Sequence, residues 1–340
     1  MARPVKHILI DLPSVPDGRE RLEKLDGIEA TILEPADGPC RPAEELARRA
    51  HVLACEETPE NVSDMTSLEF VQLGSSGYSH LFGLGLPERG VRACNARGVF
   101  DVPIAEWNVA MMINLWRDVR GMIRHQEKGV WDRSDRFQRE LRGGVVGIWG
   151  YGGIGRETAR LAKALGLTVH VLTRGPVRPR ERVYRVPGTG DPEGVLPDRV
   201  FTTGEETSFL AGLDFLILAM PLTNTTEGIV GETELRALPR GAFVLNPARG
   251  PLIQEPALLR ALNEHWIAGA ALDTHHHYPM DPDHPLWRFE NVIMTPHVSG
   301  SSSSQHFAAR VWDLFLQNVE RFMSGTPLLN ELTTDELSGR

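Results

Sequence analysis

Residues 144–174 read GVVGIWGYGGIGRETARLAKALGLTVHVLTR. Valine and isoleucine fill the first segment, VVGI, and their branched side chains suit a buried strand. Apolar residues then recur at helical spacing through IGRETARLAKAL, and a second β-branched run, TVHVL, follows. Between strand and helix stand Gly150, Gly152 and Gly155 in the spacing G-x-G-x-x-G. Glycines at that spacing permit a tight turn, let the main chain approach a pyrophosphate, and allow helix to lie against strand. The helix N-terminus then offers free N–H groups to the anion. The unit predicts a Rossmann-type doubly wound parallel sheet that holds a dinucleotide on Gly150, Tyr151, Gly152, Gly153, Ile154 and Gly155.

The pattern extends in both directions. Downstream, FLILAM, AFVLN, AGAAL and VIMTPH are short apolar runs separated by helical stretches near 231–238 and 255–264. Upstream, strands near 7–12, 29–33, 52–55, 69–73 and 91–95 alternate with helix-length segments, which predicts a second, smaller, flavodoxin-like α/β domain. Residues 103–126 carry an unbroken helical pattern and predict one long helix, whereas 127–142 are polar and aromatic with no core pattern. Residues 175–207 are rich in Pro, Gly and Arg and predict an exposed loop without assigned chemistry. The stretch 304–323 predicts an amphipathic helix, preceded by a serine run able to cap it. The expected division is 104–299 for the dinucleotide domain, inserted between 1–103 and 300–340 of the substrate domain.

Bulk properties exclude several classes. At 340 residues the chain is too long for one core. A hydrophobic share of 41% with 24% charged residues is that of a soluble protein. No run approaches the roughly 18 apolar residues of a membrane span. The formal charge of −9 opposes nucleic-acid binding. Cys40, Cys55 and Cys94 are too few and scattered for a disulfide framework or a zinc site. The N-terminal apolar run is too short for a secretory signal, so the expected compartment is the cytoplasm. His275, His276 and His277 are consecutive, so their side chains diverge and no metal is expected there.

The end of the second strand bears on which dinucleotide binds. An NAD binder places Asp or Glu about 20 residues after the glycines, on the ribose hydroxyls. Here Thr173 and Arg174 occupy that region, with Arg178 and Arg180 beyond. A hydroxyl beside a guanidinium suits a 2′-phosphate that a carboxylate would repel, which points to NADP, with NAD as the alternative.

Several segments, in order, give the chain a wider resemblance: GVVGIWGYGGIGRETARLAKALG, LAMPLTNTTEGIV, GAFVLNPARGPLI, IAGAALD and NVIMTPHVSG. Over nearly its whole length it resembles the D-isomer-specific 2-hydroxyacid dehydrogenases. FVQLGSSGYSH and GVRACNARGVFDVPIAEW look like that family's substrate loop and its entry into the long helix. The resemblance implies hydride transfer between a nicotinamide and a 2-oxo or 2-hydroxy acid lying between two domains. Arg249 would hold the substrate carboxylate, which a planar guanidinium fork suits. His297 would be the acid/base, since a histidine titrates near neutrality. Asp273 would orient the nicotinamide, Ser76, Gly77 and Tyr78 would bind substrate, and Met220, Pro221, Thr226, Pro247, Ala248 and Ser299 would complete the coenzyme site. A homodimer is implied too.

One position departs from the family. It has Asp, then five residues later a Glu followed by Pro, and that glutamate bonds the catalytic histidine. Counting from Asp273 reaches Tyr278, followed by Pro279. A neutral phenol cannot raise an imidazole's pKa as a carboxylate does, so His297 is expected to titrate lower, and Tyr278 joins the candidate catalytic residues. Two alternatives follow from this loss. One is a formate-dehydrogenase-like enzyme, a relative that also lacks the glutamate. The other is a dinucleotide-sensing binding protein with weak catalysis.

Overall fold

The computed structural model describes residues 5–34 and 38–338. They form two compact units. The first takes the described residues up to Val99, Arg182–Val186, and those from Ser302 onward, and the second takes Phe100–Glu181 and Pro187–Ser301.

In the first unit, strands β1 (Lys6–Asp11), β2 (Ile28–Ile32), β3 (Ala50–Cys55), β4 (Phe70–Leu73) and β5 (Arg92–Cys94) form one sheet in the order β2-β1-β3-β4-β5. All its pairings are parallel. That is the flavodoxin-like order. Helices α1 (Pro16–Glu23) and α2 (Glu44–Arg49) lie among these strands in sequence. Its core is aliphatic, with Leu53, Val71, Leu73 and Leu81 buried. The C-terminal stretch forms the helix Gln305–Ser324, whose Ser304 hydroxyl accepts the Phe307 N–H at 3.1 Å, so the serine run does supply the cap.

The second unit begins with α3 (Asp101–Trp116) and α4 (Val119–Glu127). The single helix expected over 103–126 is thus broken. Asp118 adopts a left-handed conformation at φ 45°, and its carboxylate accepts the Gly121 N–H at 3.0 Å, which starts a new helix. Apolar spacing continues across the break, so periodicity alone did not reveal it.

Then follow β6 (Val145–Trp149), α5 (Gly153–Ala164), β7 (Thr168–Thr173), β8 (Arg199–Thr202), α6 (Glu206–Leu210) and β9 (Phe215–Leu218). After them come α7 (Glu232–Ala237), β10 (Phe243–Asn246), α8 (Glu255–Asn263), β11 (Gly269–Leu272) and β12 (Val292–Met294). The seven strands are ordered β12-β11-β10-β9-β6-β7-β8, and all pairings are parallel. The edge strand β8 and the first two residues of α6 lie inside the stretch read as loop; β8 is short, and Arg199 and Val200 on it are exposed, so it carries no buried run.

The central strands are buried on both faces, as a parallel sheet requires. Their side chains alternate between two cores. Leu216, Leu218, Val244, Ala270 and Leu272 enter one, while Phe215, Ile217, Phe243, Leu245 and Ala271 enter the other with Ala159 and Ala162 of α5. The strand order reverses beside β6, and the crevice outside the carboxyl ends of the strands at such a point is where open α/β sheets bind ligands.

Candidate active site

The candidate residues of the second unit all follow the carboxyl ends of its strands. Gly150 to Gly155 join β6 to α5, Thr173 and Arg174 end β7, and Met220, Pro221 and Thr226 follow β9. Pro247, Ala248 and Arg249 follow β10, Asp273 and Tyr278 follow β11, and His297 and Ser299 follow β12. Residues far apart in sequence thus reach one edge of the sheet through strand order alone.

The glycine turn fits a dinucleotide. Gly150 has φ 99°, and a Cβ there would lie 2.6 Å from the Ala219 carbonyl oxygen. Gly155 packs so tightly on the Gly150 carbonyl that no side chain fits. At Gly152 a Cβ would meet nothing within 4 Å, so this turn is open on its exposed side. Gly152 caps α5 without a side-chain bond, and the first turn carries no acidic residue. The carboxylate of Asp101, from α3, lies against Gly153, the first residue of α5, so an anion held by this turn would have that carboxylate as a neighbour. At the end of β7 the Thr173 hydroxyl donates to the Gly175 carbonyl. Arg174 is exposed and has no ion-pair partner among the described residues.

Arg249 sits in a short loop held by Asn246, which is buried. The Asn246 Oδ1 accepts the N–H groups of Ala248 and Arg249 at 3.1 and 3.2 Å, and its Nδ2 donates to the Arg249 carbonyl at 2.8 Å. The exposed guanidinium bonds the Ala248 carbonyl at 2.7 Å through Nη1. Sequence reading missed Asn246, although its amide in NPARG is the type of side chain that closes such turns. The following Gly250 packs against the main chain of His275 and His276, where a Cβ would overlap the His275 carbonyl.

His297 adopts a left-handed conformation, φ 57°, which is uncommon outside glycine and costs about 1 kcal/mol or more. The loop around it compensates. The His297 N–H donates to the Asp273 carbonyl at 2.8 Å. The Asp273 carboxylate, 0% exposed, accepts the Thr295 hydroxyl at 2.5 Å and the Val298 and Ser299 N–H groups at 2.9 and 3.0 Å. Trp107 of α3 donates to the Thr295 hydroxyl at 3.2 Å and extends the network to the first helix of the unit. Burial, then the charge of Arg249, holds His297 below the usual histidine range; Asp273 opposes this and His275 adds to it.

Tyr278 stands beside His297, with ring centroids 5.6 Å apart. Its hydroxyl accepts the His275 N–H at 3.1 Å. The three histidines diverge as their succession implies. His275 is buried with Nε2 donating to the Thr295 carbonyl at 2.9 Å, His276 reaches the Ile253 carbonyl at 3.1 Å, and His277 is exposed. Among the described residues no group of three or more His, Cys, Asp or Glu could hold a metal ion.

Ser76, Gly77 and Tyr78 belong to the first unit, in the loop after β4. Buried Asn95 donates to the Ser76 carbonyl at 2.8 Å, and the Ser75 hydroxyl donates to the Gly77 carbonyl at 2.8 Å. Asn330 in turn donates to the Asn95 carbonyl at 2.9 Å. Neither asparagine was singled out from sequence, since each acts through partners distant along the chain. No helix among the described residues is long and apolar enough to cross a membrane.

Comparison with known proteins points the same way. Residues 109–299 match the family profile described as D-isomer specific 2-hydroxyacid dehydrogenase, NAD binding domain. The glyoxylate reductase of Korarchaeum cryptofilum is 31% identical over 262 residues, 76% of this chain and 74% of that one. Among solved structures, a D-isomer specific 2-hydroxyacid dehydrogenase family protein from Aeromonas salmonicida superposes with a TM-score of 0.76 at 25% identity, covering 96% of this chain and 99% of that one. The NADPH-dependent glyoxylate/hydroxypyruvate reductase of Sinorhizobium meliloti, in complex with citrate, gives 0.70 at 26% identity, covering 97% of each.

Proposed function

Since the chain belongs to the D-isomer specific 2-hydroxyacid dehydrogenase family, and is thus an NAD(P)-dependent oxidoreductase acting on CH–OH donors, we propose that it works as an NADPH-dependent reductase of small 2-oxo acids. The observation that supports the reading is the placement of Arg249 and His297 on the loops that follow β10 and β12, the two strands flanking β11, at the carboxyl ends of one parallel sheet. The bound dinucleotide would supply the hydride to the carbonyl carbon.

The chain's own groups would do the rest. The exposed Arg249 fork would take the substrate carboxylate through two parallel N–H bonds and fix its plane. As the carbonyl oxygen gains charge, protonated His297 would donate its proton to it, and in the oxidative direction the neutral imidazole would take the proton back. Asp273 presents no exposed carboxylate oxygen, so we assign it to holding the His297 loop rather than to contact with the coenzyme ring. Ser76, Gly77 and Tyr78 are assigned to substrate binding. Thr173 and Arg174 support NADP over NAD, because no carboxylate stands at the end of β7 to repel a 2′-phosphate. NADP pools in a cytoplasm are kept reduced, which favours oxoacid reduction there. The arm after α4, which leaves Trp131 91% exposed, supports a homodimer.

A panel of 2-oxo acids, from glyoxylate to aryl pyruvates, tested against NADPH and NADH tests this directly. Turnover of one or more acids with NADPH preferred is the expected result. Tight NADPH binding with no turnover of any acid would replace the reductase with a sensing role, and turnover of formate alone would replace it with a formate dehydrogenase.

A further inference from the structure

The stretch 174–198 is no idle surface loop. It is tied to the start of α5 by a buried polar cluster. Arg156, in the first turns of that helix and 5% exposed, spends its guanidinium on main-chain carbonyls of the loop and the turn. Nη2 donates to the Arg178 carbonyl at 2.6 Å, Nη1 donates to the Asp191 carbonyl, and Nε reaches the Tyr151 carbonyl at 3.3 Å. The guanidinium also lies over the Tyr151 ring, 5.0 Å from its centroid. The Tyr151 hydroxyl donates to Asp191 Oδ2 at 2.7 Å. Asp191, 3% exposed, gathers the loop further by accepting the N–H groups of Gly194, Val195 and Leu196, each at 3.0 Å. Glu157 adds a bond from the Gly190 N–H at 2.5 Å.

These contacts are costly to bury and serve no core. A buried guanidinium that donates only to carbonyls, next to a buried carboxylate that accepts only N–H and O–H groups, specifies one arrangement of main chain. That main chain starts at Arg174 and includes Arg178, both exposed and without a side-chain partner among the described residues. Tyr151 and Arg156 also belong to the glycine turn and helix on which the dinucleotide would sit. Further along, residues 182–186 are packed within the first unit, where Tyr184 is buried and its N–H donates to Asn330 Oδ1 at 3.1 Å. Within the second unit the loop is tied to α5 through the Arg178 and Asp191 carbonyls.

We propose that Tyr151, Arg156 and Asp191 form a clamp that holds the 174–198 loop on the first turns of α5 and, by fixing where Arg174 and Arg178 are presented, sets the preference for a 2′-phosphorylated dinucleotide. Arg156 and Asp191 are thus positioning residues: they act on the phosphate through the loop. The proposal rests on the NADP reading above.

The test is calorimetric titration of the full chain with NADPH and with NADH, without oxoacid, in the wild type, Asp191→Asn and Arg156→Lys, together with amide exchange over 174–198 in the protein alone. The wild type is expected to favour NADPH. Each variant should lower the NADPH-to-NADH affinity ratio by about tenfold through NADPH, with the NADH Kd moving less than about twofold and exchange at Val195 and Leu196 accelerated. Equal weakening of both dinucleotides, or an unchanged ratio despite faster exchange, would overturn the clamp while leaving the NADP reading intact. A wild type that binds NADH as well as NADPH would overturn the NADP reading and the clamp with it. Should Arg156→Lys fail to fold, Asp191→Asn decides.

Discussion

The ring of Tyr278 lies 5.6 Å from the ring of His297, tilted by 49°, while its hydroxyl is engaged by the His275 N–H. The imidazole thus has an aromatic face beside it where the family has a carboxylate. Burial and Arg249 hold it below the usual histidine range. The sign follows from that direction. The protonated form needed for reduction is lost as pH rises through a value below about 6.5, so reductive kcat/KM falls in that lower window, and the oxidative rate rises over it. Tyr278→Glu restores a negative neighbour and should move both limbs up by about one pH unit. Profiles of kcat/KM against pH for the two proteins check this, and superimposable limbs would refute it.

Asp273 predicts a second result. Its buried carboxylate serves three donors around His297, of which the Ser299 N–H is itself buried. In Asp273→Asn one donor faces an amide NH2, leaving a buried polar group unpaired at a cost of about 1–3 kcal/mol. The left-handed turn at His297 loses its support as well. We expect a lower Tm and a fall in kcat of about 10- to 100-fold, with oxoacid KM changed much less, because Arg249 is held separately by Asn246. A rise in KM alone would assign Asp273 to substrate binding instead.

The glycines separate fold from function. Gly150 has a positive φ and the Ala219 carbonyl against it, so Gly150→Ala should cost about 1–3 kcal/mol of stability. At Gly152 a methyl meets no protein atom. Gly152→Ala should therefore leave Tm within about a degree or two while weakening the dinucleotide about tenfold or more, since the methyl occupies the space of close approach. Thermal melts and coenzyme titrations distinguish the two. Unchanged coenzyme affinity in Gly152→Ala would place the pyrophosphate elsewhere.

Much of this site was legible because it is local. The strand, glycine turn and helix of 144–164 are consecutive, and Arg249 and His297 stand in short motifs directly after strands. What was not legible depends on distance. Arg156 and Asp191 are bonded 35 residues apart, and Asp191 lies in the stretch 175–207, whose composition reads as loop. Asn95 acts through the Ser76 carbonyl 19 residues away, which leaves no pattern in sequence. The break at Asp118 escaped because apolar spacing runs on through it. Thr295, an ordinary residue in the string, links Trp107 to Asp273 only once the sheet brings three segments together.

The arm after α4 supplies a last prediction. It folds back on the helix, with the Val130 N–H donating to the His125 carbonyl at 2.9 Å and Arg117 donating to the Phe137 carbonyl at 2.7 Å. Phe137 is buried by this, yet Trp131 is 91% exposed and Ile123 on α4 is 51% exposed. We propose that this tryptophan meets a second copy of the chain, because tryptophans are prominent among residues that carry interface energy. Sedimentation velocity at micromolar concentration should show a dimer, and Trp131→Asp combined with Ile123→Asp should shift it to monomer, since two anchors worth about 2 kcal/mol each weaken association by about 1,000-fold. The double variant should keep its coenzyme affinity, because neither residue lies in the glycine turn or in the loops that carry Arg249 and His297. A wild type that sediments as a monomer would remove the dimer from the reading.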